Sequence, residues 1–381
     1  MNLGLLPPIG GSLTALQNTG QLARFAASYL PRYAEAFDQL YYCSYRNESP
    51  GDFPAIAFPP TFQVLPNRRE ALSHLYAWRM ARHHAGPLAT CHVLRIFQAT
   101  GIVPGWLAKR RWRMPIAATY GYHYALLARR DGRQALALYY WLLSRLTFQI
   151  ADAIIVTTTE IARDLGQSVP PNRLHLIPNG VDLRLFYPAD APSPGSPPTV
   201  LFLGRLTEHK DPLTLLRAAH RLQQSGRSIR LALVGDGPLR DPLVQEAQRL
   251  GLNVHFHGIV SHDRLPPLLR NAHAFVLPSH SEGHPKALLE AMACGLPVVV
   301  SDIPGNRSVV EPGENGLLFP PGDAAQLADQ LETVLADHTL AERLGRAAYT
   351  TIAQHYDLNE LIRREVMLLC GLVRKSPESR P

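Results

Sequence analysis

Glu282 and Glu290 stand eight residues apart, with Gly283-His284-Pro285-Lys286-Ala287-Leu288-Leu289 between them. Gly283 and Pro285 suit a tight turn into a helix that starts near Lys286. The free N–H groups and positive dipole end of such a helix make an anion site. Glu282 lies before the helix and Glu290 about one turn in, so the two carboxylates reach different parts of one bound molecule rather than each other. Carboxylates flanking an anion site suit hydrogen bonds from vicinal hydroxyls, as on a sugar or a ribose. The plainer reading is a capped helix with one solvated glutamate. A second group, Arg205 and Lys210, follows directly on the apolar run Thr199–Leu203. A planar guanidinium and a compact ammonium five residues apart can neutralise a diphosphate, although alone they fit an ordinary solvated loop equally well. Only Lys109, Lys210, Lys286 and Lys375 among the 38 basic residues are lysine, which makes Lys210 and Lys286 conspicuous.

The elements that must position these groups read as short apolar strands alternating with amphipathic helices. In the first half the candidate strands are 3–6, 39–45, 92–97, 115–119, 153–157 and 174–177, with helices over 13–30 and 134–149. After the segment 189–198 (ADAPSPGSPP), which reads as a linker, the alternation resumes. Strands are expected at 199–203, 230–234, 254–257, 274–277 and 297–301, with helices between them and at 324–337. This rhythm predicts α/β architecture with parallel sheets covered on both faces, twice over. A strand's carboxyl end is where such sheets place ligands, which is where Arg205 and Glu282 fall.

Length and composition set the outer limits. A chain of 381 residues with 46% hydrophobic and 18% charged residues builds a large core and is not globally disordered. Cys43, Cys91, Cys294 and Cys370 show no ligand spacing and read as reduced thiols of a cytoplasmic protein. The 16 histidines include no metal-binding pair on a helix, and His255 and His257 are expected to be one core and one surface residue. The start Met1-Asn2-Leu3-Gly4 lacks a basic region and a long apolar run, so no signal peptide is expected. The formal charge of +7 is uneven: residues 1–190 carry 19 basic and 11 acidic groups, residues 191–381 carry 19 and 20.

With those residues in view, the second half resembles the retaining glycosyltransferases of the GT-B fold, in the group called family 4. The likeness rests on the E-x7-E pair Glu282/Glu290, VLFLGRL (200–206) with Lys210, LVGDGPL (233–239), VHFHGIV (254–260) and SEGHPKALLEAMACGLPVVVSD (281–302). Pro304-Gly305, Glu314–Phe319, Pro321-Gly322-Asp323, ADAIIVTTTE (151–160) and LIPNGVDLRLFYP (176–188) extend it, so it covers about 151–330. The resemblance implies two Rossmann-like domains facing a cleft. Residues 1–188 would form the acceptor-side domain, completed by a returning helix 356–373, and residues 199–355 the nucleotide-sugar donor domain. It implies that Arg205 and Lys210 stabilise the departing diphosphate, where charge grows in the transition state. The backbone of Lys286, Ala287 and Leu288, after Gly283, would face the phosphates. Glu290 would hold the ribose, Glu282 the donor sugar, and Gly258 to Val260 would lie by the base. Gly10-Gly11 resembles the glycine loop after the first strand. No resident cofactor and no metal are expected, since no Asp-x-Asp metal clamp occurs in the chain.

The first half departs from the pattern. Many relatives read Thr-x-His after the strand at 115–119, whereas this chain reads Thr119-Tyr120-Gly121-Tyr122-His123. His123 either substitutes beside the donor sugar or serves the acceptor side or the structure. The leading expectation is therefore glycosyl transfer from a nucleotide-diphosphate sugar to a saccharide or lipid-linked acceptor. A nucleotide-sugar 2-epimerase and a non-catalytic sugar-nucleotide-binding subunit are the alternatives. A dinucleotide-binding dehydrogenase is excluded because Gly235-Asp236-Gly237 lacks the third glycine of GxGxxG. Arg68-Arg69, Arg79, Arg82, Arg110-Arg111, Arg113 and Arg129-Arg130, interleaved with Trp78, Trp106 and Trp112, suit peripheral contact with an anionic membrane at about 1 kcal/mol per charge. They equally suit a solvated surface in an Arg-biased chain. No nucleic-acid motif is present.

Overall fold

Runs of aliphatic and β-branched residues bounded by Gly, Pro and Asp form two all-parallel sheets. The computed structural model of the protein describes residues 1–69, 71–130, 132–188 and 197–375, with the backbone alone for Arg130. Most of the expected linker and the tail 376–381 lie outside the described residues. The chain divides into unit 1, Met1–Pro178 with the residues from Glu360 on, and unit 2, Asn179–Asn359.

Unit 1 holds β1 (Asn2–Leu6), β2 (Gln39–Cys43), β3 (Phe62–Leu65), β4 (Val93–Ile96), β5 (Ile116–Tyr120), β6 (Ala153–Val156) and β7 (Leu174–Leu176). Their order is β3-β2-β1-β4-β5-β6-β7. The sequence pattern does not announce β3, a four-residue edge strand whose Gln63 faces solvent. The helix expected over 13–30 breaks at Gly20, which adopts a φ of +70°. Helix Leu13–Asn18 precedes the break, and a helical run from Leu22 to Ala36, with a π turn at Phe25–Tyr29, follows it. Two further helices that the pattern hides, Ser73–His83 and Ile102–Trp112, bury one face and expose apolar residues on the other, which blurs the period. Right-handed crossovers place these two and Gln134–Ile150 on one face of the sheet. Tyr76, Met80, Ile102, Val103 and Leu143 share a core there with Leu94, Ile116 and Ile154.

The opposite face is closed in part by the terminal helix Leu358–Lys375. Its Glu365 is buried and accepts two hydrogen bonds from Arg95 of β4, Nε to Oε1 at 2.7 Å and Nη2 to Oε2 at 3.1 Å. The buried Tyr33 hydroxyl donates to the same carboxylate. Burial and the Glu365 charge push the Tyr33 hydroxyl well above its ordinary range, so it stays a donor. Leu361 packs on Ile155 and Ile177, which seals the contact with apolar surface.

Unit 2 holds β8 (Thr199–Leu203), β9 (Arg230–Val234), β10 (Asn253–Gly258), β11 (Ala274–Leu277), β12 (Val298–Ser301) and β13 (Leu317–Phe319), in the order β10-β9-β8-β11-β12-β13. Alternate residues serve two cores. Val200, Phe202, Leu231 and Val276 face helices Pro212–Gln224 and Ala324–Ala336, while Leu201, Phe275, Leu277 and Val300 face helix Lys286–Ala293. Val181 and Phe186 belong to the second of these cores, so the passage between units falls at 178/179, before the Pro-rich segment. His255 and His257 were expected on different environments, yet their ring centroids lie 4.2 Å apart and neither is buried. Positions i and i+2 of a strand share a face, and β10 is an edge strand.

Removing one partner of a buried ion pair strands the other charge, which costs about 3–5 kcal/mol. Arg95→Met should therefore lower unit 1 stability by that order in denaturant unfolding. A loss within experimental error would show that the terminal helix is held by its apolar contacts alone.

Candidate functional site

In unit 2 the strand order reverses between β8 and β11, and the loops leaving their carboxyl ends flank that gap. Lys210 from the first loop and Glu282 from the second meet there: Lys210 Nζ donates to Glu282 Oε1 at 2.5 Å. Ser279 Oγ donates to the same oxygen at 2.6 Å. Both side chains of the ion pair are largely withdrawn from solvent. Glu282 Oε2 has no partner among the described residues and can accept from a ligand hydroxyl. His280 N–H donates to the His209 carbonyl at 2.8 Å, which joins the two loops by backbone as well.

Beneath Glu282 runs a buried polar chain. Ser301 Oγ donates to the Ser279 carbonyl at 2.5 Å, and Asn306 Nδ2 donates to the Ser301 carbonyl at 2.8 Å. Ser279, Ser301 and Asn306 are fully enclosed. Gly305 lies directly against Glu282: a Cβ there would stand 2.4 Å from the Glu282 carbonyl oxygen and 2.8 Å from its Cβ. The Pro304-Gly305 pair is thus a backing plate for the carboxylate.

Arg205 is placed by backbone packing of a similar kind. Gly204 N–H donates to the Val234 carbonyl (2.9 Å), and Leu206 N–H to the Asp236 carbonyl (3.0 Å). A Cβ on Gly235 would fall 1.9 Å from the Gly204 carbonyl oxygen, and one on Gly237 2.4 Å from that of Leu206. Gly235-Asp236-Gly237 therefore exists for close backbone approach. The Arg205 guanidinium is exposed and has no partner among the described residues. Helix Lys286–Ala293 begins on the same edge with Pro285 at its N-cap and no side-chain cap, which suits an anion. Lys286 is exposed, Ala287 is half-buried and Leu288 is buried, so only the backbone of Leu288 can serve a ligand.

Glu290 lies deeper than its spacing suggested. It is buried, and its Oε1 is 3.1 Å from His262 Nε2, a partner 28 positions earlier that no local pattern marks. Gly258 ends β10 with φ +67° and accepts from Gly235 N–H at 2.8 Å, while Val260 packs on the apolar core. Gly283 lies between Glu282 and His284 without an unusual backbone angle. His284, inside the motif, is buried against the Tyr356 ring with its Nδ1 unpartnered. Burial, with Lys286 adding a like charge, lowers its pKa to about 3, so it is neutral at physiological pH.

In unit 1 the order reverses between β1 and β4, and Gly10-Gly11 sits on the loop leaving β1. Gly10 adopts φ +80°, and Gly11 N–H donates to the Pro8 carbonyl at 2.8 Å. The helix start that follows is already occupied. Buried Glu48 accepts from Leu13 N–H (2.6 Å), Thr14 N–H (3.0 Å) and Thr14 Oγ1 (2.7 Å). His123, after β5, has Nε2 3.2 Å from Asp164 Oδ2 and Nδ1 3.4 Å from the Tyr120 hydroxyl. Structure thus brings Lys210, Glu282 and the Lys286 helix start to one edge of unit 2, with Arg205 on the adjoining loop. Gly10, Gly11 and His123 lie on the corresponding edge of unit 1.

The glycosyl transferases group 1 model matches residues 184–351, and the glycosyltransferase family 4 model matches residues 29–185. The two matches follow one another along the chain and meet at residues 184–185, a short way into unit 2. Between them the two models match residues 29–351, and over that span the chain resembles the group 1 glycosyltransferases. Among curated relatives, it is 31% identical to a D-inositol 3-phosphate glycosyltransferase of Nocardia farcinica over 268 residues, 64% of this chain and 58% of that one. It is also 31% identical to a glycogen synthase of Mycobacterium tuberculosis over 246 residues, 63% and 58% of the two chains. The chain thus spans under two thirds of the length of these family members. Among solved structures, sucrose-phosphate synthase from Thermosynechococcus elongatus aligns with TM-score 0.81 at 22% identity, covering 99% of this chain and 100% of that one. Anabaena HepE, solved in complex with UDP and glucose, aligns with TM-score 0.75 at 20% identity over 97% and 99%. These likenesses establish the GT-B fold.

Two expectations follow from the geometry. Gly305→Ala should push Glu282 off Ser279 and Lys210; its thermal midpoint should fall, and a crystal structure of the variant should show the carboxylate displaced. An unmoved Glu282 would remove the backing role of Gly305. His284 binds no proton in the native state at pH values where the unfolded chain does, so its contribution weakens as pH falls below about 6.5, by up to about 1.4 kcal/mol per pH unit. Denaturation of wild type and His284→Phe across pH 4 to 7 should show the steeper loss in wild type, and parallel slopes would refute it.

Proposed function

We propose that the protein transfers a hexosyl unit, with retention of anomeric configuration and without a metal ion, from a nucleoside diphosphate sugar to an acceptor hydroxyl. The observation that carries this reading is the Glu282 carboxylate held between Lys210 and Ser279 with its outer oxygen open. A carboxylate so fixed orients sugar hydroxyls, while Lys210 remains close enough to meet the diphosphate attached to the same sugar. In the proposed reaction the bond from C1 to the diphosphate oxygen breaks, and a bond from C1 to the acceptor oxygen forms on the same face. The acceptor proton leaves with the nucleoside diphosphate. Negative charge grows on the leaving phosphate, where Arg205, Lys210 and the start of helix Lys286–Ala293 supply preorganised positive charge. Glu290, steadied by His262, is assigned to the ribose, the Gly258–Val260 turn to the base, and Gly10-Gly11 to close backbone approach. His123, beside Asp164, is assigned to the acceptor side. HepE was solved with UDP and glucose, which supports UDP-glucose as the first donor to try. Relatives described as glycogen synthase and D-inositol 3-phosphate glycosyltransferase support an acceptor rich in free hydroxyls.

UDP should raise the thermal midpoint of the full chain, because a ligand bound by the native state alone stabilises it. Lys210→Ala and Glu282→Ala should each lower kcat by about 10²–10³ while leaving the fold intact, the scale of removing a transition-state charge partner. Activity should survive EDTA, and NMR of the product should show the donor's anomeric configuration. Nucleotide release that is unchanged in both variants would overturn the proposal, and inversion at C1 would overturn the retaining step.

A further inference from the structure

Residues 71–130 contain nine basic side chains and no aspartate or glutamate, in a chain with 31 acidic residues. The helices Ser73–His83, Ile102–Trp112 and Gln134–Ile150, on one face of the unit 1 sheet, likewise contain no carboxylate. Each joins the carboxyl end of one parallel strand to the amino end of another, so all three run in the same sense. All three also carry the same order of chemistry along that sense: apolar side chains first, arginines after. In the first, Leu75 and Trp78 are exposed, with Leu72 (75% exposed) just before it, and Arg79 and Arg82 follow. In the second, Trp106 precedes Arg110 and Arg111. In the third, Leu138, Trp141 and Leu142 are exposed, and Arg145 follows. The helix Tyr124–Arg130 folds back on the third, with Tyr124 5.6 Å from Tyr140 ring to ring, and adds exposed Leu126 and Arg129 beside the start of that helix.

Of the twelve large apolar side chains exposed among the described residues, seven lie on this face. Trp78 meets Trp106 edge-on at 6.1 Å, and Tyr139 meets His74 at 5.9 Å, so the helices form one continuous surface. Arg110 lies over Trp106 at 5.3 Å and Arg145 over Trp141 at 5.8 Å, while none of the six arginines just named is in an ion pair among the described residues. Burying a helix's exposed leucines needs an apolar partner, and the arginine belt needs an anionic one. A second copy of this face would bring like charge against like charge, and a nucleic acid would leave the leucines wet.

We propose that this face docks on an anionic lipid bilayer. Leu72, Leu75, Leu138, Trp141 and Leu142 enter the boundary between headgroups and acyl chains, and the arginines reach the lipid phosphates. The apolar ends lie at the carboxyl edge of the sheet, where Ser73 Oγ stands 3.7 Å from the position a Gly10 Cβ would take. The Gly10-Gly11 turn therefore borders the membrane-facing end, and an acceptor carried on a lipid meets unit 1 at that edge. The acceptor statement rests on the transferase proposal above; vesicle binding does not.

Co-sedimentation of the full chain with vesicles of phosphatidylglycerol and phosphatidylcholine, or of phosphatidylcholine alone, tests the docking. Binding should require the anionic lipid, weaken with salt and shift tryptophan emission to the blue. Each arginine removed from Arg79, Arg82, Arg110 and Arg111 should weaken binding about fivefold at low salt. The variant L138S/W141S/L142S should lose binding with its thermal midpoint and its UDP-induced shift unchanged; L72S/L75S, on another helix, serves if the first folds poorly. No sedimentation with anionic vesicles at low salt overturns the proposal. So does binding that both apolar variants retain, which would mark a polyanion surface, or a dimer that the same variants dissolve. Because UDP binding is followed in parallel, loss of the docking surface and failure of the donor assignment give separate results.

Discussion

Glu282 can act only if its backbone is held where two loops converge, and glycine is what permits that convergence. Gly305 touches the Glu282 main chain, and Gly235 and Gly237 touch the main chain on either side of Arg205. A side chain at any of the three would occupy space already filled by a carbonyl oxygen. The charged groups are therefore set by main-chain contacts below them, which do not change when Lys210 or Arg205 changes rotamer. The buried Ser279–Ser301–Asn306 chain adds hydrogen bonds to the same backbone, so the carboxylate sits on a rigid floor.

Charge is distributed in keeping with that floor. Unit 2 concentrates cations on the carboxyl edge of its sheet, beside a helix start with no side-chain cap. Unit 1 treats its corresponding helix start differently: Glu48 satisfies the N–H groups of Leu13 and Thr14 internally. The same local geometry thus serves opposite ends in the two halves, and an internal carboxylate is the difference. Unit 1 places positive charge on one outer face of helices, within a stretch, residues 71–130, that contains no aspartate or glutamate.

Much of the framework was legible because it is local. Alternating strands and helices, the E-x7-E pair and the position of Arg205 after β8 all follow from patterns a few residues long. The weaker readings fail for physical reasons. β3 is short, lies at an edge and is flanked by prolines, so it lacks the apolar run of a central strand. The Ser73–His83 and Ile102–Trp112 helices expose Leu75, Trp78 and part of Trp106, so apolar residues mark both faces and the period disappears. The pattern placed the passage between units at the Pro-rich segment, while Val181 and Phe186 pack into unit 2 and draw it earlier.

By itself the sequence determined the fold class and the residue types at the donor edge, since the spacing of glycines, carboxylates and cations within each loop is a local property. Only the tertiary structure decided which partners they have. His262 beneath Glu290, Ser279 and Gly305 around Glu282, and Arg95 and Tyr33 on Glu365 are brought together by sheet order and crossover handedness. It also decided that the apolar and basic residues of three separate helices share one face and one direction. Those pairings depend on how parallel strands are connected, which no spacing within a single segment records.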